Sequence, residues 1–176
     1  MKVLTVLVPT YNVEKYLRRC LDSLLLPEVL EEIEVLVVND GSKDGSADIA
    51  RAYEKKYPQT VVFVDKENGG HGSTINVGIE KAQGTYFKVL DSDDWVNIGD
   101  FIEFVKRLKE ETADAVICDY RKEHVYNGKS EYFEYKDLED GKKYNLNEID
   151  LNILHGEYFM MATTTYRTEV LRASGL

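Results

Sequence analysis

Short apolar runs alternate with segments of helical periodicity along the first two thirds of the chain. Continuous apolar runs bounded by turn residues predict buried strands at 3–8, 33–38, 61–64 and 85–90. Apolar residues at helical spacing predict helices after 12, after 46, from 73 or 74 to 82, and at 101–108. We expect Asn12 and Ser46 to cap the first two helices. Strands that alternate with helices indicate a mostly parallel sheet with helices on both faces.

The last third of the chain has a different pattern, which predicts a smaller α+β half. Strands are predicted at 115–120 and 158–164, and Asn127-Gly128 within 125–129 predicts a tight hairpin. Asn147 is expected to cap a short helix, and a final helix is predicted at 169–173. The chain is therefore expected to form a single α/β domain.

Polar turns follow three of the predicted strands at their carboxyl ends. They are Pro9-Thr10-Tyr11-Asn12, Asn39-Asp40-Gly41-Ser42 and Asp91-Ser92-Asp93-Asp94. Parallel sheets bind ligands in the crevice outside the carboxyl ends of their strands, so the three turns are expected to share one site. The carboxylates of the last turn repel one another, and a divalent cation such as Mg²⁺ or Mn²⁺ is the natural counter-charge.

Charge and cysteine content limit the partners and the compartment. The 176 residues include 32 acidic and 22 basic ones, a formal charge of −10, which argues against a nucleic-acid partner but not against a nucleotide. Cys20 and Cys118 lie far apart in apolar contexts and are expected to be reduced thiols, as in the cytosol. No signal peptide or membrane segment is predicted. The expected location is cytoplasmic, with peripheral association at the inner face of the membrane left open.

The motifs together resemble the catalytic domain of glycosyltransferase family 2, which has the GT-A fold. The resemblance rests on the order and spacing of five segments, at 6–12, 37–46, 68–70, 76–79 and 90–94. It implies a Rossmann-like, mostly parallel sheet flanked by helices, in a single GT-A domain over 1–176. The nucleotide-sugar-binding half would be 1–112, and the acceptor-side half, expected to be incomplete, would be 113–176.

The resemblance also implies an activity and the residues that carry it. A sugar would be transferred from a nucleoside-diphosphate sugar, with uridine as the favoured base, to a hydroxyl of a saccharide or lipid-linked acceptor. The configuration of the anomeric carbon would be inverted, and the setting would be surface polysaccharide synthesis. Mn²⁺ or Mg²⁺ would be held by Asp93 directly, with Asp91 near the ribose or a metal-bound water, and would stabilise the departing diphosphate. The expected nucleotide-binding residues are Pro9, Thr10, Tyr11, Asn12, Asp40, Gly70, His71, Asn76, Asp91 and Ser92.

A glycine-rich loop at 69–73 precedes a predicted helix, where backbone N–H groups favour an anion such as a diphosphate. A flexible connection is the alternative. The chain departs from the family here, because Ile75 occupies a position that is often basic. His71 is the candidate for a compensating donor, and an ordinary loop histidine is the alternative.

The general base of the reaction is expected beyond Leu176, so the chain should bind nucleotide and metal but transfer sugar poorly. Asp119 and Glu157 are conceivable substitutes, and His155 and Glu157 lie in the acceptor-side half. Trp95 is expected either to stack on an acceptor sugar or to be buried in the core.

Other functions fit the motifs less well. A nucleotidyltransferase of similar fold usually has a glycine-rich, basic first loop, and a phosphatase would carry its acid pair after the first strand. A dinucleotide-binding oxidoreductase would need Gly-x-Gly-x-x-Gly after that strand. A non-catalytic nucleotide-sugar-binding module stays open, although clustered acids argue against a pure scaffold.

Overall fold

The computed structural model describes residues 1–136, 138–145 and 159–175. In chain order the elements are β1 Leu4–Thr10, α1 Glu14–Leu24, β2 Ile33–Asp40, α2 Ser46–Lys56, β3 Val61–Lys66, α3 His71–Lys81, β4 Tyr86–Val89, α4 Ile98–Leu108, β5 Ala115–Ile117, β6 Tyr120–His124, β7 Lys129–Phe133, β8 Thr164–Arg167 and α5 Thr168–Ala173. Among these described residues, no helix is both long and apolar enough to span a bilayer.

A mixed sheet with strand order β3-β2-β1-β4-β8-β5 forms the centre of the fold. Strands β3, β2, β1 and β4 are mutually parallel, and β8 runs antiparallel between β4 and β5. Strands β6 and β7 form a separate antiparallel hairpin. The expected α/β fold with a mostly parallel sheet is confirmed, and the proposed division at residue 112 stays a prediction.

Two apolar clusters lie on opposite faces of the sheet, because successive side chains of a strand alternate between its faces. Val6 and Val8 of β1 belong to one cluster, which the apolar stripes of α1, α2 and α4 cover. Leu7 of β1 belongs to the other cluster, which α3 covers. All residues of β1 and β2 are buried, which explains their continuous apolar sequence.

The described part of the chain after residue 112 differs from its prediction in strand boundaries. The predicted strand at 115–120 is two strands: β5 ends at Ile117, which pairs with Thr164 of β8, and β6 begins at Tyr120, which pairs with Phe133 of β7. The predicted strand at 158–164 is wrong over 159–163, and strand β8 begins at Thr164. The hairpin at Asn127-Gly128 and the final helix are confirmed. Asn147 and Tyr158 lie outside the described residues.

The caps of α1 and α2 are also corrected. Neither Asn12 nor Ser46 is an N-cap, since Val13 precedes α1 and Gly45 precedes α2. The carboxylate of Asp44 instead accepts the amide of Glu14, 3.1 Å away, and that of Ser46, 3.0 Å away. Asp44 thus accepts an amide from the first turn of each of two helices. These hydrogen bonds join the loop after β2 to the loop after β1.

Candidate nucleotide-binding site

A pocket of about 370 Å³ opens at the carboxyl-end edge of the parallel strands. Its walls come from the ends of β1 and β2, the loop and first residues of α3, and the turn after β4. The lining residues are Pro9, Thr10, Tyr11, Val13, Asp40, Asn68, Gly70, His71, Thr74, Asp91, Ser92 and Asp93.

Most of the residues that sequence reasoning assigned to the site meet in this pocket. The exceptions are Asn12 and Asn76, which are exposed and are not among the described lining residues. Val13, Asn68 and Thr74 line the pocket but were not predicted to do so. Asn68 belongs to the segment 68–70, one of the five on which the family resemblance rests, and that segment was the available sequence signal for it.

The turn after β1 is held against the turn after β2. Asn12 has a positive φ of 53°, and its side chain accepts the amide of Lys43 at 2.7 Å. The amide of Asn12 donates to Oγ of Ser42 at 3.0 Å. Asn12 therefore fixes this wall of the pocket from outside, and Tyr11, which is 51% exposed, stands at its mouth.

Asp40 is the last residue of β2 and is almost fully buried. Its Oδ1 accepts from Nζ of Lys66 at 2.5 Å and from the amide of Gly69 at 2.9 Å, and its Oδ2 accepts from the amide of Gly70 at 2.8 Å. Burial raises the pKa of Asp40, but the hydrogen bonds from Lys66 and the two amides outweigh it and hold the pKa below its ordinary value. Amides that were expected to face a diphosphate thus bind an internal carboxylate.

The acids after β4 form a tight turn, in which the amide of Asp94 donates to the carbonyl of Asp91 at 2.9 Å. Partial burial, and then the negative charges of Asp93 and Asp91, raise the pKa of Asp94. Beneath the turn, Sγ of the buried Cys20 lies 3.8 Å from the carbonyl oxygen of Asp91. The turn therefore brings several carboxylates together above the buried thiol of Cys20.

Asp91 and Asp93 fit a hard divalent cation. The described residues hold no group of three or more His, Cys, Asp or Glu side chains arranged around one ion. Mg²⁺ is commonly bound by one or two carboxylates together with substrate phosphates and water, so two lining carboxylates suit it. A cation held there would relieve the repulsion between these neighbouring carboxylates.

His71 is the first residue of α3 and lines the pocket. Its Nε2 lies 3.1 Å from Oδ1 of Asp91. Among the described lining residues, it is the one whose side chain can carry positive charge. Ile75, one turn further along α3, packs instead against the apolar cluster that contains Leu7. The position that is often basic in the family therefore belongs to the core here.

Other candidates from the sequence lie outside the pocket. Trp95 is half-buried, and the guanidinium carbon of Arg19 lies 3.2 Å from the centroid of its ring, so one ring face is covered. Asp119 accepts from the hydroxyl of Tyr132 at 2.8 Å and from the amide of Tyr135 at 3.1 Å, and it thereby holds the end of the β6–β7 hairpin. His155 and Glu157 lie outside the described residues.

The chain is similar to curated bacterial proteins. EpsH of Bacillus subtilis (strain 168), named as a glycosyltransferase, is 41% identical over 126 residues, which is 72% of this chain and 36% of EpsH. The minor teichoic acid biosynthesis protein GgaB of the same organism is 41% identical over 98 residues, which is 55% of this chain and 11% of GgaB. The chain thus spans only a part of the length of these relatives.

Solved structures share the fold. The structure of residues 1–349 of S. aureus TarS has a TM-score of 0.77 at 28% identity and covers 99% of this chain and 49% of that one. TarS structures in complex with UDP and with UDP-GlcNAc each match with a TM-score of 0.75.

The match to a protein family covers nearly the whole chain. The family model "Glycosyl transferase family 2" matches residues 5–170, which include all the walls of the pocket. The chain belongs to glycosyl transferase family 2.

Proposed function

We propose that the pocket binds a nucleoside-diphosphate sugar together with Mn²⁺ or Mg²⁺, and that the protein transfers the sugar to an acceptor hydroxyl. The observation that carries this proposal is the convergence of three strand ends on one pocket. The ends of β1 and β2 supply Tyr11 and Asp40, and the turn after β4 supplies Asp91 and Asp93. One wall is thus suited to a base, and the other to a cation with phosphates.

The base is assigned to the wall formed by 9–11 and Asp40. Asp40 is an ionised, buried acceptor, and a site built around such an acceptor rejects bases that lack a ring N–H donor. Uridine is the first choice, and the TarS complexes with UDP and UDP-GlcNAc support it. The remaining nucleotide contacts are assigned to Gly70, His71 and Ser92, which line the pocket, and to Asn12 and Asn76 beside it.

The divalent cation is assigned to Asp93, with Asp91 beside it. When bound, it would stabilise the negative charge that builds on the departing nucleoside diphosphate. Asp93 and Asp91 would hold this ion, and His71 contacts Asp91 from the side of α3. No described residue is assigned as the base that takes the acceptor's proton.

The acceptor is proposed to be a saccharide or a lipid-linked saccharide, and the reaction to be an inverting displacement. GgaB is named for teichoic acid biosynthesis, which supports a role in surface polysaccharide assembly. The reaction is proposed to take place in the cytoplasm, including the inner face of the membrane.

The test is calorimetric titration of the protein with UDP, GDP, dTDP and ADP, each with and without Mn²⁺. We expect one nucleotide to bind with a strong dependence on Mn²⁺, and Asp93→Asn to abolish that dependence. Asp48→Asn is the matched control, since the side chain of Asp48 is 88% exposed and lies on α2 away from the pocket.

Two outcomes would overturn the proposal. The first is that none of the four nucleotides binds with Mn²⁺. The second is that nucleotide binding depends on Mn²⁺ to the same extent in Asp93→Asn and Asp48→Asn, which would assign the cation to other residues. If binding holds, release of the nucleotide from its sugar donor in the presence of a saccharide acceptor measures the transfer itself.

A further inference from the structure

Lys66, the last residue of β3, makes three contacts through its ammonium group. Nζ donates to Oδ1 of Asp40 at 2.5 Å, to the carbonyl of Glu67 at 2.6 Å and to Oγ of Ser73 at 2.9 Å. A lysine ammonium carries three donors, so all of them have partners. Its side chain is 21% exposed, and it is not among the described residues that line the pocket. Lys66 therefore lies behind the pocket wall and joins β2, its own loop and α3.

Asp40 also binds the glycine-rich loop. The amides of Gly69 and Gly70 donate to Asp40, and the side-chain amide of Asn68 donates to its backbone carbonyl at 2.9 Å. Successive backbone N–H groups that point at one anion form a nest, and the anion here is a side chain of the protein. Asp40 and Lys66 together thus determine where the loop lies and where α3 begins.

The contacts leave Asp40 with limited capacity for a ligand. A carboxylate has about four acceptor positions. Lys66 and Gly69 take two at Oδ1, and Gly70 takes one at Oδ2. Among the contacts of the described residues, one position on Oδ2 stays available at a residue that lines the pocket.

We propose that Lys66 is a positioning residue of the nucleotide site: by pairing with Asp40 it keeps that carboxylate an acceptor only, and so excludes bases without a ring N–H. This inference rests on the proposed function. Uracil, thymine and guanine present a ring N–H, whereas cytosine and adenine present an unprotonated ring nitrogen at the corresponding edge. A protonated Asp40 would donate to those bases, and an ionised one repels them.

The charges that face Asp40 are few. Lys66 faces it from β3, and the loop offers only backbone amides and the amide of Asn68. The charged side chains that share its pocket are His71, Asp91 and Asp93. Loss of the Lys66 ammonium therefore removes the positive charge that contacts this buried carboxylate.

The experiment compares the binding of UDP with CDP, and of GDP with ADP, in the presence of Mn²⁺. In wild type we expect UDP to bind at least about tenfold more tightly than CDP, or GDP at least about tenfold more tightly than ADP. A factor of about ten is the cost of leaving one polar group unpaired. Lys66→Met should reduce that ratio by about tenfold, because loss of the ammonium raises the pKa of Asp40 and makes its protonated form easier to reach. Lys66→Arg keeps the charge and should restore the ratio. Lys55→Met, an exposed lysine on α2, is the matched control.

If Lys66 only supports the structure of the loop, Lys66→Met should weaken the binding of all four nucleotides equally. An unchanged ratio of UDP to CDP affinity, or of GDP to ADP affinity, in Lys66→Met would therefore overturn the proposal. Failure of wild type to bind any nucleotide would overturn the proposed function instead. In that case the carbon-13 shift of the Asp40 carboxyl group in the ligand-free, metal-free protein decides. We expect it to titrate at a higher pH in Lys66→Met than in wild type and Lys66→Arg, and equal titration would show that Lys66 does not control Asp40.

Discussion

Nε2 of His71 lies 3.1 Å from Oδ1 of Asp91, and this contact joins the first residue of α3 to the acid-rich turn after β4. The two residues are 20 positions apart in the chain: His71 begins the helix that follows β3, and Asp91 lies in the turn that follows β4. A helix N-terminus carries a partial positive charge, and the imidazole adds a donor to it. The proposed phosphate region is therefore bounded by a donor on one side and by carboxylates on the other.

His71 is expected to contact the phosphates of the bound nucleotide. His71→Ala should weaken binding of UDP in the presence of Mn²⁺ by about tenfold, the effect of about 1.4 kcal/mol from one charge-assisted hydrogen bond. Uridine lacks the phosphates, so its binding should not change. Calorimetric titration with both ligands measures the difference.

His71→Arg provides the matched variant, because it keeps a cationic donor at the start of α3. Its affinity for UDP should lie within about threefold of wild type. Equal losses for UDP and uridine in His71→Ala would contradict the assignment, since they would show a general effect on the pocket.

Asp44 is expected to stabilise two helices at once. Removal of one N-cap acceptor costs about 0.5–2 kcal/mol, and Asp44 accepts amides from both α1 and α2. Asp44→Ala should therefore reduce the free energy of unfolding by about 2 kcal/mol in urea denaturation at pH 7. Asp48→Ala, in the first turn of α2 but 88% exposed, should cost less than about 1 kcal/mol.

The contribution of Asp44 should depend on pH. Burial raises the pKa of Asp44, but hydrogen bonds from Ser46 and Glu14 outweigh it and hold the pKa below the ordinary value of 3.8. A carboxyl group with a depressed folded-state pKa stabilises the protein above its unfolded pKa and loses this effect as pH falls. The difference between wild type and Asp44→Ala should thus be full at pH 7 and smaller at pH 3. A difference that is the same at both pH values would contradict the double cap.

The sequence predicts the parts of this molecule that depend on local patterns. Apolar runs identify β1, β2 and β4 because these strands are buried on both faces, and the polar turns at their carboxyl ends identify the pocket. Burial and turn chemistry are properties of neighbouring residues, so they can be recognised without the fold.

Contacts between distant segments could not be predicted in this way. Asp44 caps a helix 30 residues earlier in the chain, so the local rule selected Asn12 and Ser46 instead. Lys66 reaches Asp40 across 26 residues, and no motif marks it. Strand β8 enters the sheet between β4 and β5, and its threonine-rich sequence has no apolar run that would reveal a central position.

Of the glycines that the structure describes, Gly84 is expected to be the most sensitive to substitution, because it lies directly against β1. A Cβ atom there would lie 2.4 Å from the backbone nitrogen of Thr5, and backbone cannot move aside as a side chain can. The amide of Gly84 also donates to Oγ1 of Thr5 at 2.8 Å, and its carbonyl accepts from Oγ1 of Thr168 at 2.6 Å. Gly84→Ala should therefore reduce the free energy of unfolding by about 3 kcal/mol or more.

Gly72→Ala is the control for this substitution. Gly72 lies in the first turn of α3, and a Cβ atom there would meet no atom within 4 Å. Alanine is favoured over glycine in a helix by about 0.5–1 kcal/mol, so this variant should be as stable as wild type or more stable. Urea denaturation of both variants measures the contrast. Similar midpoints for Gly84→Ala and wild type would mean that β1 and the segment before β4 are not in this close contact in solution.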